Sequence, residues 1–207
     1  MIGIFGGTFD PVHYGHLRAV IEVREIFGLD EVRLVPNKIP PHRSQPSTIA
    51  KMRLDMLRLA TESLPGLVID TRELDREGPS YMVDTLRSLR GDVPERTLLL
   101  CIGVDAFNGL TSWHRWPELF EHAHLVVMTR PGYLIQLQNE FLRVRQVFDK
   151  TELTRHRAGK LWFQPITELD ISASAIRKMI AENRDPRFLL PGAVIDYIHR
   201  HHLYQNV

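Results

Sequence analysis

The chain has 207 residues, of which 43% are hydrophobic and 25% charged. That length predicts one domain with a core that needs no disulfides, and the apolar content excludes intrinsic disorder. The single cysteine, Cys101, excludes a disulfide scaffold, and 26 basic against 25 acidic side chains give no general basic face for nucleic acid, though they leave room for a local basic pocket.

In chain order, Ile2–Phe5 reads as a strand, Gly15–Phe27 as a helix and Glu31–Val35 as a strand. Pro36–Pro46 is a proline-rich loop directly after a strand, a place where substrate loops occur. Ser47–Ser63 carries Ile49, Met52, Leu54, Met56, Leu57 and Leu59 at helical spacing. Leu67–Asp70 is a short strand, and Ser80–Arg90 a helix with Ser80 as its cap. Thr97–Ile102 and Leu125–Thr129 are nearly continuous apolar runs, as expected of parallel strands buried on both faces. Leu134–Phe148 reads as a helix and Leu161–Ile166 as a late strand. Ser172–Ala181 and Ala193–His202 complete the chain as helices. Strands alternating with helices predict an α/β fold, a Rossmann-like doubly wound parallel sheet with a helical C-terminal end. A single domain over residues 1–207 is expected, its part from about 171 completing the site. Ligands of such sheets bind at the carboxyl ends of the strands, near the point where strand order reverses.

No segment approaches the roughly 20 apolar residues of a membrane span. The start, MIGIFGGTFDPVH, has no basic stretch of the secretory type. With one free cysteine, this predicts a reducing, cytoplasmic setting and no membrane partner.

The most informative segment is Gly6-Gly7-Thr8-Phe9-Asp10-Pro11-Val12-His13-Tyr14-Gly15-His16, between the first strand and first helix. Paired glycines let backbone approach a ligand, and free N–H groups at a helix start favour an anion. His13 and His16, three apart, can face one phosphate-sized site and stabilise charge on phosphoryl oxygens. The string contains neither GxxxxGK[ST] nor GxGxxG, which excludes a P-loop and the dinucleotide fingerprint. Two other readings stay open here: a tight turn whose histidines cap the helix, and a zinc site of Asp10, His13 and His16, whose spacing fits no familiar zinc signature.

This string resembles the (T/H)xGH signature of the nucleotidyltransferase superfamily related to class I tRNA synthetases. Within it, the chain is similar to the bacterial nicotinate-mononucleotide adenylyltransferases. The likeness runs through the chain: Pro36-Asn37-Lys38-Ile39-Pro40-Pro41-His42-Arg43, Pro79-Ser80-Tyr81-Met82-Val83-Asp84-Thr85-Leu86, Gly103 to Trp113 as GxDxxxxLxxW, and Ile171-Ser172-Ala173-Ser174-Ala175-Ile176-Arg177. Ala173 and Ser174 depart from the frequent ISST form, Ser174 keeping a hydroxyl donor.

The resemblance implies an ATP site of Gly6, Gly7, Thr8, Phe9, His13, His16, Gly103, Asp105, Ser172 and Arg177. His13, His16 and Arg177 would be catalytic. Ser172 and Arg177 would hold the β- and γ-phosphates at a helix start, and Gly103 and Asp105 the adenosine ribose, with Asp105 as a cap of the next helix the alternative. Asn37, His42 and Arg43 would face the mononucleotide, Trp113 would stack on its pyridine ring, and Thr85 with backbone N–H groups near His114 would read the nicotinate carboxylate. Trp116 reads as packing. The implied reaction is adenylyl transfer from ATP to nicotinate mononucleotide, giving deamido-NAD and pyrophosphate, with Mg²⁺ on the ATP phosphates and no carboxylate cage for it. A homo-oligomer is compatible with the sequence. Phosphopantetheine adenylyltransferases, a nicotinamide-mononucleotide enzyme and a nucleotide-binding sensor on the same fold are the alternatives. Outside these motifs, Cys101 in an apolar run reads as an inert buried thiol, and His199, His201 and His202 as a solvated helix end.

Overall fold

Each of the six apolar runs forms a strand, and every strand runs parallel to its neighbours. The computed structural model describes residues 1–39, 46–129, 135–137, 139–167 and 169–205. The strands are β1 (Ile2–Gly7), β2 (Glu31–Pro36), β3 (Leu67–Ile69), β4 (Leu98–Gly103), β5 (His124–Thr129) and β6 (Leu161–Pro165), in the order β3-β2-β1-β4-β5-β6. The helices are α1 (Tyr14–Phe27), α2 (Ala50–Thr61), α3 (Arg72–Asp75), α4 (Met82–Asp92), α5 (Val104–Asn108), α6 (Leu119–His122), α7 (Glu140–Arg143), α8 (Glu152–Arg155), α9 (Ala173–Ala181) and α10 (Gly192–Arg200).

Side chains alternate across the sheet and build a core on each face. Leu34, Leu99, Cys101 and Val126 pack with Leu17 and Val20 of α1, Met56 of α2, Ile176 of α9 and Val194 of α10. Ile4, Leu98, Leu100, Leu125 and Val127 pack on the other face with Val83 and Leu86 of α4 and Phe107 of α5. Burial on both faces explains the unbroken apolar runs of β4 and β5. Burial also pushes the Cys101 thiol up to about 12, so it carries no thiolate.

The sheet opens where its order reverses. β1 stays paired with β2 as far as Gly7 and Pro36, and β4 with β5 as far as Gly103 and Met128. Between β1 and β4, pairing stops at Ile4 and Leu100. The last residues of these two central strands therefore part and leave a crevice at their carboxyl ends, where a doubly wound sheet binds its ligand.

Two expectations need correction. The helix expected over Leu134–Phe148 is reduced to α7, Glu140–Arg143; residues 130–134 and 138 lie outside the described residues. The Asn139 side chain starts this short helix by accepting the Phe141 N–H at 2.9 Å. Beyond it the chain extends along β6, with Leu161 donating to the Arg145 carbonyl and Val147 donating to the Leu161 carbonyl. The edge of β6 needs backbone partners, and satisfying them outweighs the helical spacing of the side chains. Ser80, the expected cap of α4, has another role. Tyr81 is the cap position, and the Ser80 hydroxyl accepts the Lys38 N–H at 3.0 Å, fastening the loop after β2 to the start of α4.

At the far end of the sheet, His124 joins β5 to the turn before β6. Its Nε2 faces the His156 carbonyl at 2.9 Å and its Nδ1 accepts the Lys160 N–H at 3.0 Å, so Nε2 carries the proton. The ring is fully buried. His124→Leu strands both backbone groups, and we expect it to lower unfolding stability by about 2 kcal/mol in urea titrations. Turnover of the folded variant should match wild type, because the crevice lies at the opposite ends of the strands.

Candidate functional site

The loop leaving β1 is built around two glycines and one strained aromatic. A Cβ on Gly7 would lie 2.8 Å from the Phe9 ring, and one on Gly6 would lie 2.6 Å from the Met82 methyl at the start of α4. Gly7 therefore has no room for a side chain without displacing the buried Phe9 ring, whereas at Gly6 the flexible Met82 methyl would have to move aside. Phe9 is buried with φ 50°, a left-handed backbone uncommon outside glycine, and its ring meets His16 edge-on at 5.2 Å. Such strain is stored where surrounding contacts over-determine a conformation.

His13 and His16 occupy the cap and third positions of α1, and their rings stack at 3.6 Å. The His13 backbone N–H donates to His16 Nδ1 at 3.3 Å. In the neutral ring this leaves the proton on Nε2, so His16 presents a donor on its other side. The His13 ring is buried, and burial lowers its pKa to about 4. At neutral pH it is an uncharged imidazole. Its Nδ1 is buried without a hydrogen-bond partner among the described residues. Gly15 makes room for this ring, since a Cβ there would come within 3.0 Å of His13 Nδ1.

Arg177 of α9 reaches the same loop, donating from Nη1 to the Asp10 carbonyl at 2.7 Å. Ser172 caps α9, its hydroxyl accepting the Ala175 N–H at 3.2 Å and lying 3.3 Å from the Ser174 hydroxyl. Asn37, just beyond β2, donates from Nδ2 to the Thr8 hydroxyl at 3.1 Å and from its N–H to the Gly7 carbonyl at 3.0 Å. Its side-chain oxygen is buried without a partner among the described residues. His13, His16, Asn37 and Arg177 thus converge on one loop at the carboxyl end of β1. His42 and Arg43 lie outside the described residues.

Behind this cluster sits Arg53 of α2, only 1% exposed. Its Nη1 donates to the Thr8 carbonyl at 2.6 Å, Nη2 to the Asn37 carbonyl at 2.7 Å, and Nε to the Thr48 carbonyl at 3.1 Å. Burial works against its charge and the Asp10 carboxylate works for it. Asp10 is itself buried, with Tyr204 donating to one carboxylate oxygen and the Ser47 N–H to the other. Those oxygens are therefore engaged away from His13 and His16, and among the described residues no group of three His, Cys, Asp or Glu could hold a metal ion.

On the other side of the crevice, Gly103 ends β4 as the cap of α5, and a Cβ there would meet open space. Asp105 is exposed in the first turn of α5, so the alternative of Asp105 as a cap does not hold. The wall contributed by α4 carries Tyr81, whose ring stacks on His114 at 4.2 Å. Trp113 is half-buried against the adjoining core, and Trp116 packs edge-on against Phe141 at 5.1 Å. Between Trp113 and Trp116, Arg115 holds a left-handed backbone with φ 51°, its guanidinium on Glu118 at 2.6 Å. Thr85 is fully buried, and its hydroxyl donates to Glu73 at 2.6 Å while accepting from Arg76 at 3.1 Å. Its one proton is committed inside the protein, which sets it apart from the other expected contacts. Burial raises the pKa of Glu73.

Sequence reading missed Arg53, Tyr204, Ser47 and Glu73. Arg53 did leave a signal: it precedes Met56 and Leu57 by one helical turn, which places a charge on the apolar stripe of α2. The other three depend on partners distant in sequence and left none.

A buried neutral His13 makes folding depend on pH. With a folded value near 4 against 6.5 when unfolded, the unfolded chain takes up the proton first as pH falls, so stability present above about pH 6.5 is lost toward pH 4. We expect denaturant titrations to show the stability gap between wild type and His13→Asn narrowing by about 2 kcal/mol from pH 7 to pH 5. A gap that stays constant would show that His13 is not held neutral.

A family model described as cytidylyltransferase-like matches residues 4–179. A protein named probable nicotinate-nucleotide adenylyltransferase from Methylococcus capsulatus is 49% identical, the match covering 99% of both chains. A protein of the same name from Aeromonas salmonicida is 45% identical, over 99% of this chain and 97% of that one. Among solved structures, the nicotinic acid mononucleotide adenylyltransferase of Plasmodium falciparum, complexed with NaAD, superposes with a TM-score of 0.75 at 20% identity, over 99% of this chain and 97% of that one.

Proposed function

The chain belongs to the cytidylyltransferase-like family and, within it, to the nicotinate-nucleotide adenylyltransferases, and from that premise we infer how its site performs adenylyl transfer from ATP to nicotinate mononucleotide. The observation that carries this reading is the convergence of His13, His16, Asn37 and Arg177 on the Gly6–His16 loop at the mouth of the crevice. The mononucleotide 5′-phosphate attacks the α-phosphorus of ATP in line. A new P–O bond forms as the bond to the bridging α,β-oxygen breaks, and that electron pair leaves on pyrophosphate. A phosphate monoester is already largely ionised near pH 7, so the attack needs no general base. The work left to the protein is positioning and stabilisation of charge.

His16 donates from Nε2 to a phosphoryl oxygen, its tautomer set by the His13 N–H. His13 contributes an uncharged polar edge rather than a cation. A phosphoryl ligand would also supply a partner for His13 Nδ1, which has none among the described residues. Arg177 and the Ser172 start of α9 hold the departing pyrophosphate. Gly6, Gly7, Thr8 and Phe9 form the floor under ATP, and Gly103 with Asp105 receives the adenosine ribose. Asn37, His42 and Arg43 face the mononucleotide phosphate. Trp113 takes the pyridine ring. With the Thr85 proton on Glu73, the donors to a nicotinate carboxylate are backbone N–H groups around His114, and Thr85 shapes the wall behind them. Mg²⁺ would come with ATP and would neutralise phosphate charge during the transfer; among the described residues no group of three His, Cys, Asp or Glu could hold it, so the nucleotide itself would supply its ligands. We place the reaction in the cytoplasm, as the single buried thiol favours. No helix among the described residues is long and apolar enough to cross a membrane.

Pyrophosphate release in the presence of ATP and Mg²⁺ tests the reading, with nicotinate mononucleotide, its amide and phosphopantetheine as acceptors. Strong preference for the acid form is expected. Equal use of the amide would remove the carboxylate assignment, and release with phosphopantetheine alone would replace the substrate. ATP binding without release from any acceptor would leave only a sensor. In the same assay, His16→Ala should lower kcat about a hundredfold while the KM for ATP stays within a few-fold, the pattern of a donor used mainly in the transition state. An unchanged kcat would remove His16 from the chemistry.

A further inference from the structure

Three distant parts of the chain meet on one residue of the reaction loop. The Tyr204 hydroxyl, 194 residues away in sequence, donates to Asp10 Oδ1 at 2.6 Å in a buried setting. The Ser47 N–H donates to Asp10 Oδ2 at 2.7 Å, and Arg177 donates to the Asp10 carbonyl at 2.7 Å. Burial and the Asp10 charge both raise the pKa of the phenol, so it remains a donor throughout the working pH range. The segment after α10 is bent to deliver this side chain: His202 has φ 52° and Tyr204 φ 64°, both left-handed. A backbone held so at two non-glycine residues shows that surrounding contacts fix its course.

Nothing in this arrangement brings Tyr204 to a ligand. Its hydroxyl acts on Asp10, and Asp10 joins the loop that carries His13 to the arginine that faces the leaving group. We propose that Tyr204 is a positioning residue for adenylyl transfer, acting through the Asp10 carboxylate to keep the Gly6–His16 loop in register with Arg177. This rests on the reading of that loop and Arg177 as the phosphate-binding elements. Small displacements of groups aligned on a reacting phosphorus are costly in rate even where binding is preserved.

The test is Tyr204→Phe, which keeps the ring and removes the hydroxyl, assayed by steady-state pyrophosphate release beside wild type, Asp10→Asn and the double variant. Folding is checked by circular dichroism and thermal melting. We expect kcat to fall about tenfold in Tyr204→Phe with the KM for ATP within about twofold, and the effect to vanish in the Asp10→Asn background. The proposal is overturned if the folded variant keeps its kcat, if only KM rises, or if the two substitutions act multiplicatively. Should Tyr204→Phe not fold, the same split is read in Asp10→Asn, which leaves Tyr204 in place but removes the charge its hydroxyl serves; an unchanged kcat there also overturns it. Wild type that releases no pyrophosphate with nicotinate mononucleotide overturns the reaction reading itself, whereas active wild type with an equally active Tyr204→Phe overturns the tyrosine's role alone.

Discussion

The site depends on a single buried guanidinium. Withdrawing the charge of Arg53 from water costs several kcal/mol, and a structure bears that only where charge-assisted hydrogen bonds replace hydration. Here the replacements are backbone carbonyls from three loops: Thr8 after β1, Asn37 after β2 and Thr48 ahead of α2. These carbonyls sit where the chain has left its strand or not yet entered its helix, so regular structure gives them no partner. A planar fork of donors answers all three at once. Lysine, with a compact ammonium on a flexible stem, has no equivalent geometry. The loops that form the floor of the crevice are thus placed by one side chain that touches none of the chemistry.

With that floor fixed, the two sides of the crevice take different tasks. The α1 and α9 side carries His16, the Ser172 cap and Arg177, the groups we propose to meet the developing charge, together with the uncharged His13. On the α4 side the Tyr81–His114 stack, Trp113 and the buried Thr85–Glu73 pair make a wall of flat rings and committed hydrogen bonds.

The sheet was legible in the sequence because burial on both faces leaves so strong an imprint: all six apolar runs became strands, and the strand–loop–helix around Gly6–His16 stands where the motif put it. The four- and five-residue helices α3, α5, α6, α7 and α8 were not legible, because one turn of helix shows no periodicity. Around Leu134–Phe148 the periodicity misled, since backbone pairing with Leu161 took precedence over side-chain spacing. Local chemistry likewise made Ser80 look like a cap and Asp10 like a metal ligand, whereas each has its partner far along the chain, at Lys38 and Tyr204. Resemblance pointed to Thr85 as a reader of the substrate, but no motif could show that Glu73 already holds its proton.

The tie between Asp10 and Tyr204 also bears on how the chain becomes an enzyme during synthesis. The Gly6–His16 loop leaves the ribosome ahead of the tyrosine that fastens it, which follows Asp10 by 194 residues. At elongation rates of about 5–20 residues per second, the loop waits on the order of ten seconds or longer for that partner. β1, too, is central in the sheet and must await β4 before both its edges are paired. A nascent chain therefore carries the whole signature motif well before it carries the contacts that give the motif its shape, and the loop is finished only once Tyr204 has been made.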